Sequence, residues 1–124
     1  ESTTRLYSCI EKIKSRGVKA GVVLSPATNE DTLKYVLDKI DMILLMTINP
    51  GEAGPGFHEE LLTKIKNVRE LIGDRDIDLE VDGGIDNTNI AKCKEAGVNV
   101  FVSGGYVFKG DIAEKIKTLR EALK

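Results

Sequence analysis

From Met42 to Ile48 the chain reads Met-Ile-Leu-Leu-Met-Thr-Ile, apolar at odd and even positions alike apart from Thr47. Successive side chains of a strand point to opposite faces, so a half-exposed strand alternates. One that does not alternate is covered on both faces, which is the habit of parallel sheets. Parallel neighbours cannot be joined by a tight turn and need a crossover, usually a helix. The flanking sequence supplies such helices. Leu6, Cys9, Ile10 and Ile13 recur at i, i+3, i+4, i+7 behind Ser2-Thr3-Thr4, and Gly17 closes that helix. Val18 to Leu24 reads as a strand, and Thr28 with Asp31 three residues on caps a second helix with Leu33, Val36, Leu37 and Ile40 on one face. After the apolar run, a Gly- and Pro-rich loop from Asn49 to Gly56 leads to a helix with Leu61, Ile65, Val68 and Ile72 inward and Gly73 at its end. A strand from Ile77 to Asp82, a helix from near Asp86 to Gly97 carrying Ile90 and Cys93, a strand from Val98 to Val102, and a final helix with Ile112, Ile116, Leu119 and Leu123 complete the chain.

One helix followed by four βα units implies a parallel sheet with right-handed crossovers, either open and doubly wound or part of a (β/α)8 barrel. Every unit puts its special residues at the C-terminal end of its strand, and glycine turns follow the last two strands. Both features favour the barrel, whereas 124 residues are about half of the ~250 a whole barrel uses.

Charge narrows the partners. Eighteen basic and twenty acidic residues give a net charge of −2 with neither sign gathered into a block, so no nucleic-acid or polybasic membrane surface is expected. A bound phosphate would have to be held by a local site. No apolar run approaches the ~20 residues of a membrane span. Cys9 and Cys93 lie in segments of helical period with no metal-type spacing between them, and are expected as reduced core thiols of a cytoplasmic protein.

The segment Glu80-Val81-Asp82-Gly83-Gly84-Ile85 carries the chemistry. Leu79 and Val81 alternate with Glu80 and Asp82, so both carboxylates share one face. The strand ends in an acid, two glycines whose N–H groups can approach a ligand follow, and Asp86 can cap the next helix. That combination suits a reacting centre.

Three ordered motifs, Met46-Thr47-Ile48-Asn49-Pro50-Gly51, Val81-Asp82-Gly83-Gly84-Ile85 and Val102-Ser103-Gly104-Gly105, resemble the second half of the ribulose-phosphate 3-epimerase family, as do Glu1 and the stretch Gly21 to Thr28. The resemblance covers the whole chain. It implies that residues 1–124 are the C-terminal half of a (β/α)8 TIM barrel, with the first four strands absent and Glu1 as the acid ending the fourth. The implied activity interconverts D-ribulose 5-phosphate and D-xylulose 5-phosphate by metal-assisted proton transfer through an enediolate. A hexulose-phosphate enzyme acting on allulose 6-phosphate is the near alternative. A phosphate-binding barrel synthase or decarboxylase would be favoured by an Asp-x-Lys strand motif, which no strand here carries. A non-catalytic phosphate-binding half barrel is the reading from another class.

The same resemblance assigns residues. Asp82 corresponds to a catalytic aspartate that is also a ligand of one divalent metal ion (zinc, iron or manganese), the other ligands coming from the missing half. Gly83, Gly84, Gly104 and Gly105 correspond to turns whose N–H groups bind the substrate phosphate, and Gly51, Glu52, Ala53 and Gly54 to a mobile loop over the site. Met46 corresponds to a pocket-lining residue or to simple barrel packing. The chain departs from the pattern at Glu52, where an aromatic residue is usual, at Pro55, where glutamine is, and at Gly105, where serine is common. With one of two proton-transfer groups, the fragment alone is expected to be inactive and to form a homo-oligomer or to associate with the missing half. Glu80 is expected in a lower packing layer, His58 at the surface, and Lys64, Lys66 and Glu70 on solvated helix faces.

Overall fold

In the computed structural model, which describes residues 1–52 and 56–124, four parallel strands lie side by side in sequence order. They are β1 (Gly21–Leu24), β2 (Met42–Met46), β3 (Asp78–Asp82) and β4 (Val100–Val102). The register pairs Leu24 with Leu45, Leu45 with Val81, and Met46 with Asp82, which in turn pairs with Val102. A doubly wound sheet reverses its strand order at a switch point, whereas this one never does. Helices α1 (Leu6–Lys14), α2 (Leu61–Ile72), α3 (Ile90–Ala96) and α5 (Ile112–Ala122) supply the outer layer, and a short α4 (Gly105–Phe108) precedes the last. The fold is half of a (β/α) barrel.

One parity of the sheet is sealed by the helices. Ile43, Leu79 and Val81 have no exposure, and Val22, Leu24 and Leu45 almost none; Ile65, Val68, Ile72, Ile90 and Cys93 meet them from the helix side. The other parity departs from the expectation that both faces of β2 are covered. Met42, Leu44 and Met46 are only half-buried and Val23 is 50% exposed. A barrel covers its inner face by closing on itself, and half a barrel leaves that face open.

Other differences have local causes. The second helix is replaced by two 3-10 turns, Glu30–Leu33 and Leu37–Lys39, the first capped by the Asn29 side chain, which accepts from the Asp31 N–H, rather than by Thr28. Leu33, Val36, Leu37 and Ile40 are buried as expected, because spacings of three and four residues fit either helix type. Cys9 is exposed, not a core thiol, and Ile13, Ile112 and Ile116 are 40%, 48% and 36% exposed. Their helices, α1 and α5, bound the layer and have a helical neighbour on one side only. Cys93 is buried, and burial pushes its thiol up to about 11. Both cysteines are free. No helix among the described residues is long and apolar enough to cross a membrane.

At the foot of the sheet one joint occurs twice. Asp41, just before β2, accepts from the Ala20 N–H at 2.7 Å and from Lys14 of α1 at 2.7 Å. Lys14 first and then the Ala20 N–H hold its carboxyl below the usual range. Asn99, just before β4, accepts from the Leu79 N–H at 2.7 Å and from Arg69 Nη2 of α2 at 3.3 Å. In each case the residue before one strand clasps the strand before it together with the helix that precedes that strand.

Candidate active site

The C-terminal ends of the strands gather the residues singled out in the sequence. Asp82 closes β3 on the open face, since its neighbours Leu79 and Val81 take the sealed one, and it lies in register with Met46 and Val102. Among the described residues, no cation pairs with its half-buried carboxylate and no hydrogen bond reaches it. Glu80 shares this face two residues further down, at the level of Leu44 and Val100. Met46 is half-buried beside Asp82, so it lines the open face and packs in it at once.

The turn after β3 is tight because its glycines allow it. Gly83 and Gly84 have φ of +128° and +66°. A Cβ on Gly83 would stand 2.7 Å from the backbone N of Ile48, and one on Gly84 2.8 Å from that of Phe57. These close approaches bring the loops after β2 and β3 against each other. Every carbonyl of the turn is occupied by a side chain from a different element. Thr47 Oγ1 donates to Gly83 O at 2.5 Å, Asn89 Nδ2 to Gly84 O at 2.8 Å, and Ser103 Oγ to Ile85 O at 2.6 Å. The N–H groups of Gly84, Gly104 and Gly105, all exposed residues, have no acceptor among the described residues. Two neighbouring loops thus offer free backbone donors, an arrangement suited to an anion.

The proposed mobile loop begins as a turn in which the Glu52 N–H donates to Asn49 O at 3.2 Å, with Gly51 at φ +83°. Ala53, Gly54 and Pro55 lie outside the described residues. His58 is half-buried, its side chain 42% exposed and 3.8 Å from Glu60.

A second constellation sits at the end of β1. The Glu1 carboxylate accepts from the Ser25 N–H at 2.7 Å, from Ser25 Oγ at 2.9 Å and from Thr28 Oγ1. The Thr28 hydroxyl first, and then the Ser25 N–H, hold it down at about 2. Lys64, expected on a solvated face, instead reaches from α2 to the carbonyls of Ser25 and Pro26 at 2.9 and 3.2 Å, and burial lowers its pKa. The polar residues that sequence reasoning missed are therefore Thr47, Asn89, Ser103 and Lys64. Of these only Thr47 carried a signal, as the one hydroxyl in an apolar strand.

A divalent metal can be tested against this donor set. Asp82 offers a carboxylate with no protein partner among the described residues, a suitable single ligand. No group of three His, Cys, Asp or Glu side chains among those residues could hold an ion alone. The chain thus fits as the donor of one ligand to a site completed by other residues. Two clefts of about 420 and 550 Å³ lie elsewhere, the first between Asn29–Asp31 and α2, the second between α1 and β1. Among the described residues, Asp82 and the glycine turns form an open ledge without a facing wall.

Comparison with known proteins gives the following. Residues 1–108 match the model of the "Ribulose-phosphate 3 epimerase family". The ribulose-phosphate 3-epimerase of Serratia marcescens is 48% identical over 110 residues, covering 87% of this chain and 52% of that protein. The chloroplastic ribulose-5-phosphate-3-epimerase of Arabidopsis thaliana is 42% identical over 123 residues, covering 97% of this chain and 44% of that one. The chain spans about half the length of the curated relatives it matches. Among solved structures, a 3-hexulose-6-phosphate synthase superposes with a TM-score of 0.70 at 24% identity, over 94% of this chain and 55% of that one. That likeness concerns the fold.

Proposed function

The chain belongs to the ribulose-phosphate 3-epimerase family, and on that footing we propose that residues 1–124 are the C-terminal half of a pentulose-phosphate 3-epimerase barrel. The observation that carries this reading is the carboxylate of Asp82 on the open sheet face, without a partner among the described residues, next to two loops whose N–H groups have no acceptor among those residues. The names of the relatives support a pentulose 5-phosphate as substrate.

In this reading the N–H groups of Gly84, Gly104 and Gly105 hold the phosphate, and Gly83 lets the turn pass close under it. Asp82 then exchanges a proton with the substrate carbon beside the ketone, on one face of the enediolate. Inversion needs a second acid–base group on the other face. That group comes from outside these residues, so the chain alone is inactive. A divalent ion held by Asp82 and by ligands from the first half would polarise the substrate oxygens and stabilise the enediolate. The open inner face and the unpaired outer edges of β1 and β4 support association with a first half or with another copy. Two free thiols suit a reducing, cytoplasmic setting.

The test is a chimera in which residues 1–124 replace the matching segment of the Serratia marcescens relative. It should epimerise ribulose 5-phosphate and exchange the reacting hydrogen with solvent deuterium. Asp82→Asn keeps the size but loses the proton-transfer group, and should lower turnover about 10²–10⁴-fold with little change in substrate affinity. Exchange at the unsubstituted rate in that variant would show that Asp82 is structural.

A further inference from the structure

We infer that Thr47, Asn89 and Ser103 are positioning residues that turn the donors of the anion loop outward, an inference that rests on the phosphate reading above. Among the described residues Thr47 and Asn89 are the buried polar side chains, at 0% and 7% exposure. Enclosing a hydroxyl or an amide is costly unless its hydrogen bonds are made. Both residues make theirs to the same three-residue turn, and Ser103, half-buried at the end of β4, makes a third.

The geometry of the peptide unit gives the consequence. In a trans peptide the C=O of one residue and the N–H of the next point in opposite directions. Thr47 draws the Gly83 carbonyl inward toward β2, which aims the Gly84 N–H away from the core. Asn89 does the same to the next peptide by taking the Gly84 carbonyl, and its Oδ1 accepts the Asp86 N–H at 3.0 Å. That side chain therefore removes Asp86 from the donor set. Ser103 fixes the last carbonyl of the turn and links it to the strand whose own loop carries Gly104 and Gly105.

Two glycines at φ +128° and +66° do not hold one peptide orientation by themselves, because glycine is the residue least restricted in backbone conformation. Three side chains, just after β2, just before α3 and just after β4, supply the restraint. The turn is thus pre-organised, and an anion does not have to order it on binding.

The experiment is a titration of the 124-residue chain with inorganic phosphate, followed through the amide resonances of Gly84, Ile85 and Gly105. Thr47→Val keeps the shape and removes the hydroxyl. Asn89→Asp keeps the acceptor for Asp86 and loses the donor to Gly84. Ser103→Ala removes a half-buried hydroxyl and keeps the question answerable should either of the others fail to fold. Each should weaken phosphate binding about 3–10-fold, the range of one net hydrogen bond, and Thr47→Ser should restore it. Val68→Ala, a cavity in the helix-side core, should lower the unfolding midpoint while leaving phosphate affinity unchanged. Unaltered affinity in Thr47→Val and Ser103→Ala overturns this inference alone, as does weakening by Val68→Ala in step with its loss of stability. Absence of any phosphate-dependent shift in the unsubstituted chain overturns the phosphate reading and this inference with it.

Discussion

Replacing Gly83 by alanine should cost the chain a large part of its stability, and the amount follows from two separate effects. At φ +128° an L side chain strains the backbone, which costs about 1–3 kcal/mol. The added Cβ would also sit 2.7 Å from Ile48 Cγ1, 2.7 Å from Ile48 N and 3.0 Å from Thr47 Oγ1. Forcing a methyl into a filled site costs about 1–3 kcal/mol more. The sum, about 2–6 kcal/mol, is set against a total of roughly 6–19 kcal/mol for a domain of this length. With a urea dependence of about 2 kcal/mol per molar, the midpoint falls by about 1–3 M. Gly105 provides the control from the neighbouring loop: its φ is not positive, and nothing lies within 4 Å of the place a Cβ would take. Gly105→Ala should be neutral or should stabilise by up to about 1 kcal/mol. Urea denaturation of both variants at one chain concentration, followed by circular dichroism, makes the comparison. If the two midpoints coincide, the close approach of the β2 and β3 loops is not a structural requirement and the reasoning fails. The same geometry disqualifies Gly84→Val as a probe of binding, because φ +66° and the Phe57 backbone at 2.8 Å would disturb the fold as well.

Thiol labelling should separate the cysteines: Cys9 reacts quickly in the folded chain, while Cys93, buried and raised to about 11, reacts only on unfolding. Equal rates in the native chain would contradict its burial. The contribution of Glu1 is complete above its unfolded value of 4.5 and is lost as pH falls toward about 2. The Ser25 amide proton should therefore titrate with a midpoint near 2, and a midpoint near 4.5 would mean that the Glu1 contact does not form in solution. With the outer edges of β1 and β4 and the Val23 face uncovered, the chain alone should self-associate, and Val23→Lys should reduce this. Light scattering that finds a uniform 13.6 kDa monomer at high concentration would refute it.

Strand and helix order was legible because burial imposes period on sequence. Ile65, Val68 and Ile72 at helical spacing are all fully buried, and Gly73 and Gly97 end their helices with positive φ. Strand ends were shorter than the apolar runs suggested: β1 starts at Gly21 and not Val18, β4 at Val100 and not Val98. Apolar composition marks burial, not the hydrogen-bonded ladder. The uniform run in β2 misled about coverage for a related reason. In a barrel one parity meets helices and the other meets opposite strands, so its sequence is apolar throughout even when half the barrel leaves the inner parity open. The position of Asp82 at a strand end was readable from alternation alone. The roles of Thr47, Asn89 and Ser103 were not, because each acts on a carbonyl 5 to 36 residues away in sequence. No local pattern records such a pairing.

The clasp at the foot of the sheet gives the chain a hidden period. Lys14, Ala20 and Asp41 on one side, and Arg69, Leu79 and Asn99 on the other, do the same work for β1–β2 and for β3–β4. Between them the feet of β2 and β3 are held by the backbone alone, the Asp78 N–H donating to Asp41 O at 3.1 Å, and Thr47 adds its bond to the Gly83 turn at the top. For protein engineering, the consequence is that a transplanted pair of strands should keep its clasp whole, Lys14 with Asp41 or Arg69 with Asn99, because the bond that fastens the foot reaches back to the preceding helix.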